Sequence, residues 1–303
     1  MTNLLLLSVC LVLGAILQQI KGFPKDAPRV LNALIIYVCL PAITLHYTTE
    51  LSLNQRQVLP VLMPYILYGV GFVFFAVVSP LVGIDKSSAG ALILTAGISS
   101  ISFVGFPIFE LLYGKAGLEI GILMSQAGSF VVCGTLGIIT ASIYSAKQLS
   151  YQGIIRNILS FPPFISFCIA LLLNLCGYHF PSLVGEILQK LGQPFTVLAL
   201  LSIGLQLSFK REDIRIKPLL YGLLYKLVLA PTLIYILYIL ILGEHTALGK
   251  QCVIGAALGS MNTSTIIAAN YGLNPKLATQ MVSISIPLSF ITVAFWYWLV
   301  NFF

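Results

Sequence analysis

The stretch TAGISSISFVGFP, residues 95–107, decides how this chain is read. It lies within an apolar run over 88–112 and sets Gly97, Ser99, Ser100, Ser102 and Gly105 ahead of Pro107. A second stretch of the same character, GAALGSMNTST at 255–265, interrupts the run over 249–271. Both place glycine and hydroxyl residues where a membrane-spanning helix is deepest. Proline removes a backbone donor and clashes with the preceding turn. Backbone groups freed in hydrocarbon cost several kcal/mol each, so they have to line an enclosed, wet cavity. Half-helix N-termini in such a cavity offer N–H donors and a positive dipole end to an anion. Small and hydroxyl residues also serve ordinary helix packing in membranes. It is the matched position of the two stretches that favours a binding site.

Composition demands a lipid setting. Apolar residues make up 58% of the 303 and charged residues 8%, against about 25% charged in a soluble domain. So few charges cannot cover a soluble surface. The basic excess, 16 Lys and Arg over 9 Asp and Glu, is scattered through short gaps and forms no stripe. Nucleic acid is therefore not an expected partner, and the charge reads as loop charge that orients a membrane protein.

Ten runs approach the ~20 residues that a spanning helix needs. They cover 3–20, 30–49, 59–82, 88–112, 118–143, 157–177, 183–207, 216–242, 249–271 and 276–302. Gaps after the odd runs hold Lys21, Lys25, Arg29, Lys86, Lys147, Arg156, Lys210, Arg211, Arg215, Lys217 and Lys276. Gaps after the even runs hold only Arg56, Lys115, Lys190 and Lys250. The positive-inside bias then places the odd loops in the cytoplasm and both termini outside the cell (inner) membrane. No charged segment precedes the first run, so no cleaved signal peptide is expected.

Traces of duplication run through the chain. Tyr113-Gly114 and Tyr271-Gly272, Ser125 and Ser283, and Pro60 and Pro218 all keep one offset of 158 residues. The prolines follow polar stretches opening Leu51-Ser52 and Leu207-Ser208. The expected fold is thus all-α and integral to the membrane, with ten helices in two five-helix repeats over 1–150 and 151–303. Five is odd, so the second repeat enters from the opposite side, as in secondary transporters.

Lys226 is the one basic residue deep in a run, with Pro231 after it. Such a charge is costly and by default functional. It lies ~15 Å into its helix at 1.5 Å per residue, too deep to snorkel easily. Two roles stand open: neutralising helix C-termini at the cavity or attracting an anion. Glu110 either titrates, pairs with a cation, or sits at the membrane edge before Tyr113-Gly114-Lys115. Gln126, Ser129 and Gln206 either line the cavity or bond across helices. No acidic pair sits in mid-span, which argues against a carboxylate-built sodium site. Three histidines and six cysteines show no metal or redox spacing, so no metal, cofactor or enzyme chemistry is expected.

The chain resembles the auxin efflux carrier family in its short, prokaryotic-type form, over nearly its whole length. The likeness is carried by Leu31-Asn32 through Tyr37-Val38-Cys39-Leu40-Pro41-Ala42, Gly105-Phe106-Pro107 with Tyr113-Gly114, Ser202-Ile203-Gly204, Lys226 before Pro231, and Ala268-Ala269-Asn270-Tyr271-Gly272. The resemblance implies helices 4 and 9 unwound and crossing. It implies a scaffold of helices 1, 2, 6 and 7, and a crossover transport domain of helices 3–5 and 8–10. It further implies elevator-like transport of a small organic anion of the carboxylate class. Ser100 stands where the family usually has Asn, Gly259 where it often has Pro, and Thr263 where its second Asn falls. The long cytoplasmic loop of many plant members is missing, so auxin itself is not favoured.

The expected substrate-binding set is Ser100, Ser102, Phe103, Gly105, Pro107, Gln126, Gly259, Ser260, Asn262, Thr263 and Ser264. Lys226, Glu110, Pro41 and Gly204 are the expected structural or charge-balancing residues. A coupling H+ or Na+ and a homodimer are open partners. A sodium-coupled carrier like the bile-acid symporters, which share the fold, is the near alternative. A non-transporting membrane sensor is the alternative of another class.

Overall fold

The computed structural model describes residues 2–20, 22–51, 55–145, 160–206 and 216–302. Lys21, Ser52, Lys147, Arg156, Leu207, Ser208, Lys210, Arg211 and Arg215, used above for orientation and repeat, lie outside them. Among the described residues the chain is helical, and its only β feature is an isolated bridge. The described residues form twelve rods: α1 Thr2–Gln19, α2 Ala27–Thr49, α3 Gln55–Val82, α4 Lys86–Gly97, α5 101–113, α6 115–144, α7 Pro162–Leu175, α8 Ser182–Gln206, α9 Ile216–Ile241, α10 Ala247–Ala257, α11 Asn262–Asn270 and α12 Pro275–Phe302.

Among the described residues six helices are long and apolar enough to cross a membrane: α2, α3, the run Ile101–Tyr144, α8, α9 and α12. The 44 residues of Ile101–Tyr144 would span about 66 Å as one rod, twice a bilayer core. Gly114, at φ 63° and ψ −148°, breaks the run into α5 and α6. The surface is apolar in the same sense, with Leu81 79% exposed, Tyr37 69% and Ile291 69%.

Pro41, Pro231 and Pro107 follow one local rule, whereas Pro64, Pro80 and Pro287 sit in regular helix. Leu40, just before Pro41, bonds back five residues to the Ile35 carbonyl, and Ala230, just before Pro231, does the same to Tyr225. Pro107 follows a wide turn of the same length, Ile101–Gly105. Widening the turn by one residue moves the carbonyl that the ring would strike. Pro107 therefore does not break its helix, contrary to the sequence-based expectation. The break falls earlier, at residues 98–100.

The chain forms two compact units. The first is built from the described parts of 1–55, 102–122 and 156–208. In it α1 packs on α8 where Gly14 meets Gly204, and Ser202 donates to Asn32 Oδ1 at 2.6 Å. Asn174 closes the end of α2 through the Thr49 and Leu51 carbonyls at 3.0 and 2.8 Å.

The second unit takes the described parts of 56–101, 123–155 and 209–303. Tyrosine hydroxyls tie its helices together: Tyr65 to Ala127 O, Tyr225 to Leu67 O, Tyr238 to Leu59 O and Tyr68 to Thr140 Oγ1. Each finds a partner because a buried hydroxyl without one is costly. At the centre lie α4, buried throughout from Ser88 to Gly97, and α10, buried from Gln251 to Ala257. Helices enclosed on all sides have no polar face to present, which is why both read as apolar all round.

Candidate functional site

The site is built where α4 and α10 stop. Ile98 follows α4 in extended conformation and Leu258 follows α10 likewise. The two extended segments pair antiparallel. Ser100 N–H donates to Gly259 O at 2.9 Å, and Met261 N–H donates to Ile98 O at 3.1 Å, with Ser99 opposite Ser260. This reciprocal pair satisfies backbone groups that the helix breaks would otherwise leave bare in a buried place.

Gly259 allows the close approach. A Cβ there would stand 2.7 Å from Ile286 Cα on α12, closer than carbon atoms can pack. Side chains then frame the bridge. Lys226 Nζ, fully buried on α9, donates to Ser99 Oγ at 2.5 Å. Ser285 on α12 accepts from Ser260 N–H at 2.9 Å and donates to Ser260 Oγ at 3.0 Å. The N-terminus of α11 follows directly and has no side-chain cap. Asn262 and Thr263 are half-buried in its first turn and Ser264 is buried.

Gln126 and Ser129 belong to the wide turn Met124–Phe130 of α6. Both are 1% exposed, and neither Gln126 Oε1 nor Ser129 Oγ has a hydrogen-bond partner among the described residues. Met124 packs on Gly255 of α10, while Cys133–Gly137 packs on α11.

Of the expected residues, the structure joins Ser100, Gly259, Ser260 and Lys226 at one point in the second unit, with Asn262, Thr263 and Ser264 next in the chain. Ser102, Phe103, Gly105 and Pro107 belong to the first unit, at the start of α5, all buried except the half-buried Phe103. Glu110, also in that unit, is exposed and accepts from Thr196 Oγ1 at 2.9 Å rather than from a cation. It lines a cavity of about 210 Å³ with His46, Tyr47, Gln189 and Gln193. Pro41 follows a wide turn of α2, and Gly204 provides the α1–α8 contact. Sequence reading missed Ser99 as the partner of Lys226, and it missed Ser285. The adjacent Ser99-Ser100 pair was a signal for the first. Ser285 and Ser289, one turn apart and both fully buried on α12, were a signal for the second.

Comparison with known proteins bears on what this crossing serves. Residues 1–297 match the family described as Membrane transport protein. The chain belongs to this family, that of the auxin efflux carriers. It is 22% identical over 98% of its length to an uncharacterized transporter of Methanocaldococcus jannaschii, covering 98% of that protein. It is 23% identical over 95% of its length to an uncharacterized transporter of Methanothermobacter thermautotrophicus, covering 94% of it. As a membrane transport protein it is a multi-pass membrane protein that handles a small-molecule cargo.

Proposed function

We propose that the chain is a secondary transporter that moves a small organic anion of the carboxylate class by elevator-like alternating access. The observation that carries this reading is the crossing itself. Two helices stop in the protein interior, and a buried ammonium and an uncapped helix N-terminus are placed beside them. Helix ends carry roughly half a unit charge each. Two C-termini, one N-terminus and one lysine leave a positive balance, and a positive, water-poor site selects an anion.

The ten-helix inverted repeat belongs to the same proposal. In it α4 with α5, and α10 with α11, are the broken fourth and ninth helices. Gly114 and Gly272, 158 residues apart, both take positive φ, which supports the repeat. The scaffold would comprise helices 1, 2, 6 and 7, with both termini outside the inner membrane. The cargo would meet Gln126, Ser260 and the first turn of α11, while a homodimer and a coupling ion are further parts of the proposal.

Uptake into proteoliposomes tests it. Labelled mono- and dicarboxylates should accumulate or exchange, and unlabelled carboxylates should compete where amines and neutral sugars do not. Uptake of cations alone, or no ligand-dependent shift in unfolding temperature with any carboxylate, would overturn the anion reading.

A further inference from the structure

The cavity of the first unit stands apart from the crossing. α2 and α8 touch where Gly192 meets Ile43, so closely that a Cβ on Gly192 would stand 2.7 Å from Ile43 Cγ1. Next to that contact, residues of α2, α5, α6 and α8 surround a space of about 210 Å³. Water occupies about 30 Å³ per molecule in the liquid, so the space has room for about seven water-sized groups. Its wall has two characters. Ile43, Leu118, Leu188 and Phe195 make one part apolar, while Glu110, Gln189 and Gln193 stand in the polar part with His46 and Tyr47.

The polar part is built to receive donors. Thr196 bonds one carboxylate oxygen of Glu110, and no lysine or arginine pairs with that carboxylate among the described residues. Lys115 is committed to Glu50 at 2.6 Å. Glu50, Glu110 and Glu119 all lie within electrostatic reach of Tyr47, with Lys115 as the one opposing ammonium. The balance of charge around the cavity is thus negative, and a cleft of one sign concentrates ions of the other. Gln189 and Gln193 stand one turn apart on α8, so their side chains share a face. Neither side-chain amide has a hydrogen bond among the described residues.

A primary ammonium carries three N–H donors and no acceptor. The second oxygen of Glu110 and the two amide oxygens supply three acceptors on two helices. A metal ion is served less well. Calcium takes six to eight oxygens, whereas one carboxylate and four apolar side chains line this space, and no group of three His, Cys, Asp or Glu side chains gathers among the described residues.

We propose that this cavity binds a small organic cation, a primary ammonium whose head meets Glu110, Gln189 and Gln193 and whose carbon stem lies against Leu118, Leu188 and Phe195. The site goes beyond the proposed function and does not depend on what the crossing carries. Its occupant joins α5 to α8 through one ion, and so stabilises the folded chain by mass action.

The test is thermal unfolding of the purified full chain in detergent at pH 8, at constant ionic strength balanced with potassium chloride. The ligands are n-butylammonium, butyltrimethylammonium, n-butanol and butyrate. n-Butylammonium should raise the midpoint saturably. The quaternary amine has no N–H to donate and should bind about tenfold less well, and butanol should give no saturable rise. Glu110 and Gln193 are exposed, so their variants should fold. Glu110→Gln should lower n-butylammonium affinity about tenfold or more, and Gln193→Leu about fivefold. No response to n-butylammonium, an equal response to butanol, or a response that Glu110→Gln leaves unchanged would overturn the proposal. So would equal stabilisation by sodium or calcium chloride, which would make the cavity a metal site. Butyrate separates this site from the crossing. A rise that Glu110→Gln abolishes would show that the cavity takes anions and would sink the proposal, whereas a rise that survives Glu110→Gln belongs elsewhere and supports it. An absence of carboxylate uptake would count against the proposed function and leave this inference standing.

Discussion

Tyr225 donates its hydroxyl proton to the Leu67 carbonyl at 2.5 Å, and the two residues stand 158 positions apart. That is the separation relating Gly114 to Gly272 and Pro60 to Pro218. Positions related by a two-fold meet each other only near its axis. The bond fits an inverted repeat that relates α3 to α9 at the offset of the sequence matches, and so favours the proposed architecture. Tyr225→Phe removes the hydroxyl and leaves the Leu67 carbonyl its own helical bond, so the loss should be about 1 kcal/mol. Denaturant or thermal unfolding in detergent measures it, and an unchanged stability would show that the bond contributes nothing.

Two glycines of α8 should behave in opposite ways. A Cβ on Gly204 would sit 2.4 Å from the Leu11 carbonyl oxygen and 2.9 Å from Gly14 Cα, both backbone atoms of α1. Gly204→Ala should therefore destabilise the first unit by about 1–3 kcal/mol, the range for overpacking. A Cβ on Gly185 would have the His46 ring as its nearest neighbour, 4.0 Å away. Gly185→Ala should be neutral or stabilising by up to about 1 kcal/mol, since glycine is a poor helix former. Equal effects at both positions would disprove the close approach of α1 and α8.

The contrast between what could and could not be read follows from range. Gly97, Ser99, Ser100 and Gly259 announced the breaks because helix interruption is a local property of the chain. The exact place was misread through Pro107, because a wide turn over Ile101–Gly105 accommodates that proline without ending the helix. The depth of Lys226 was legible from the rise per residue along its helix. Its partner was not, because Ser99 lies 127 residues away and only packing brings the two together. Ser285 is the clearest case. One serine in an apolar helix looks the same whether it faces lipid, a neighbour or the crossing, so its two bonds to Ser260 needed the structure.

The C-terminal end of α2 and the start of α6 carry a pH-sensitive contact. Lys115 donates to Glu50 at 2.6 Å and lies 5.5 Å from the Tyr47 ring centre. The hydrogen bond from Lys115 holds the Glu50 carboxyl below its ordinary value. A depressed carboxylate stabilises the fold above its unfolded pKa, about 4.3. That contribution is lost as pH falls through the lower folded value. Both side chains are exposed to solvent, 54% for Lys115 and 43% for Glu50, so the gain should be only about 0.2–1 kcal/mol and should shrink in high salt. Glu50→Gln should flatten the stability profile below pH 5 relative to wild type while changing little at pH 9 in high salt. A variant that tracks the wild-type profile at every pH would remove Glu50 from the account.

The first turn of α11 offers the sharpest separation of folding from cargo binding. Its N-terminus has no side-chain cap, and Thr263 there is half-buried. A carboxylate in the first turn of a helix is favourable to the helix, by about 0.3–1 kcal/mol. Thr263→Asp should therefore leave the unfolding temperature of the empty protein unchanged or slightly raised. The same carboxylate would occupy the positive helix end and repel an anionic cargo. Carboxylate affinity should fall about tenfold or more, which corresponds to about 1.4 kcal/mol or more. Thr263→Asn, uncharged and close in size, should keep affinity near wild type. Binding measured by ligand-induced thermal shift, beside uptake in proteoliposomes, reads both effects on the same preparations. A stable Thr263→Asp protein that binds carboxylates as wild type does would move the cargo away from α11, because a charge set at that helix end could not be indifferent to an anion held there.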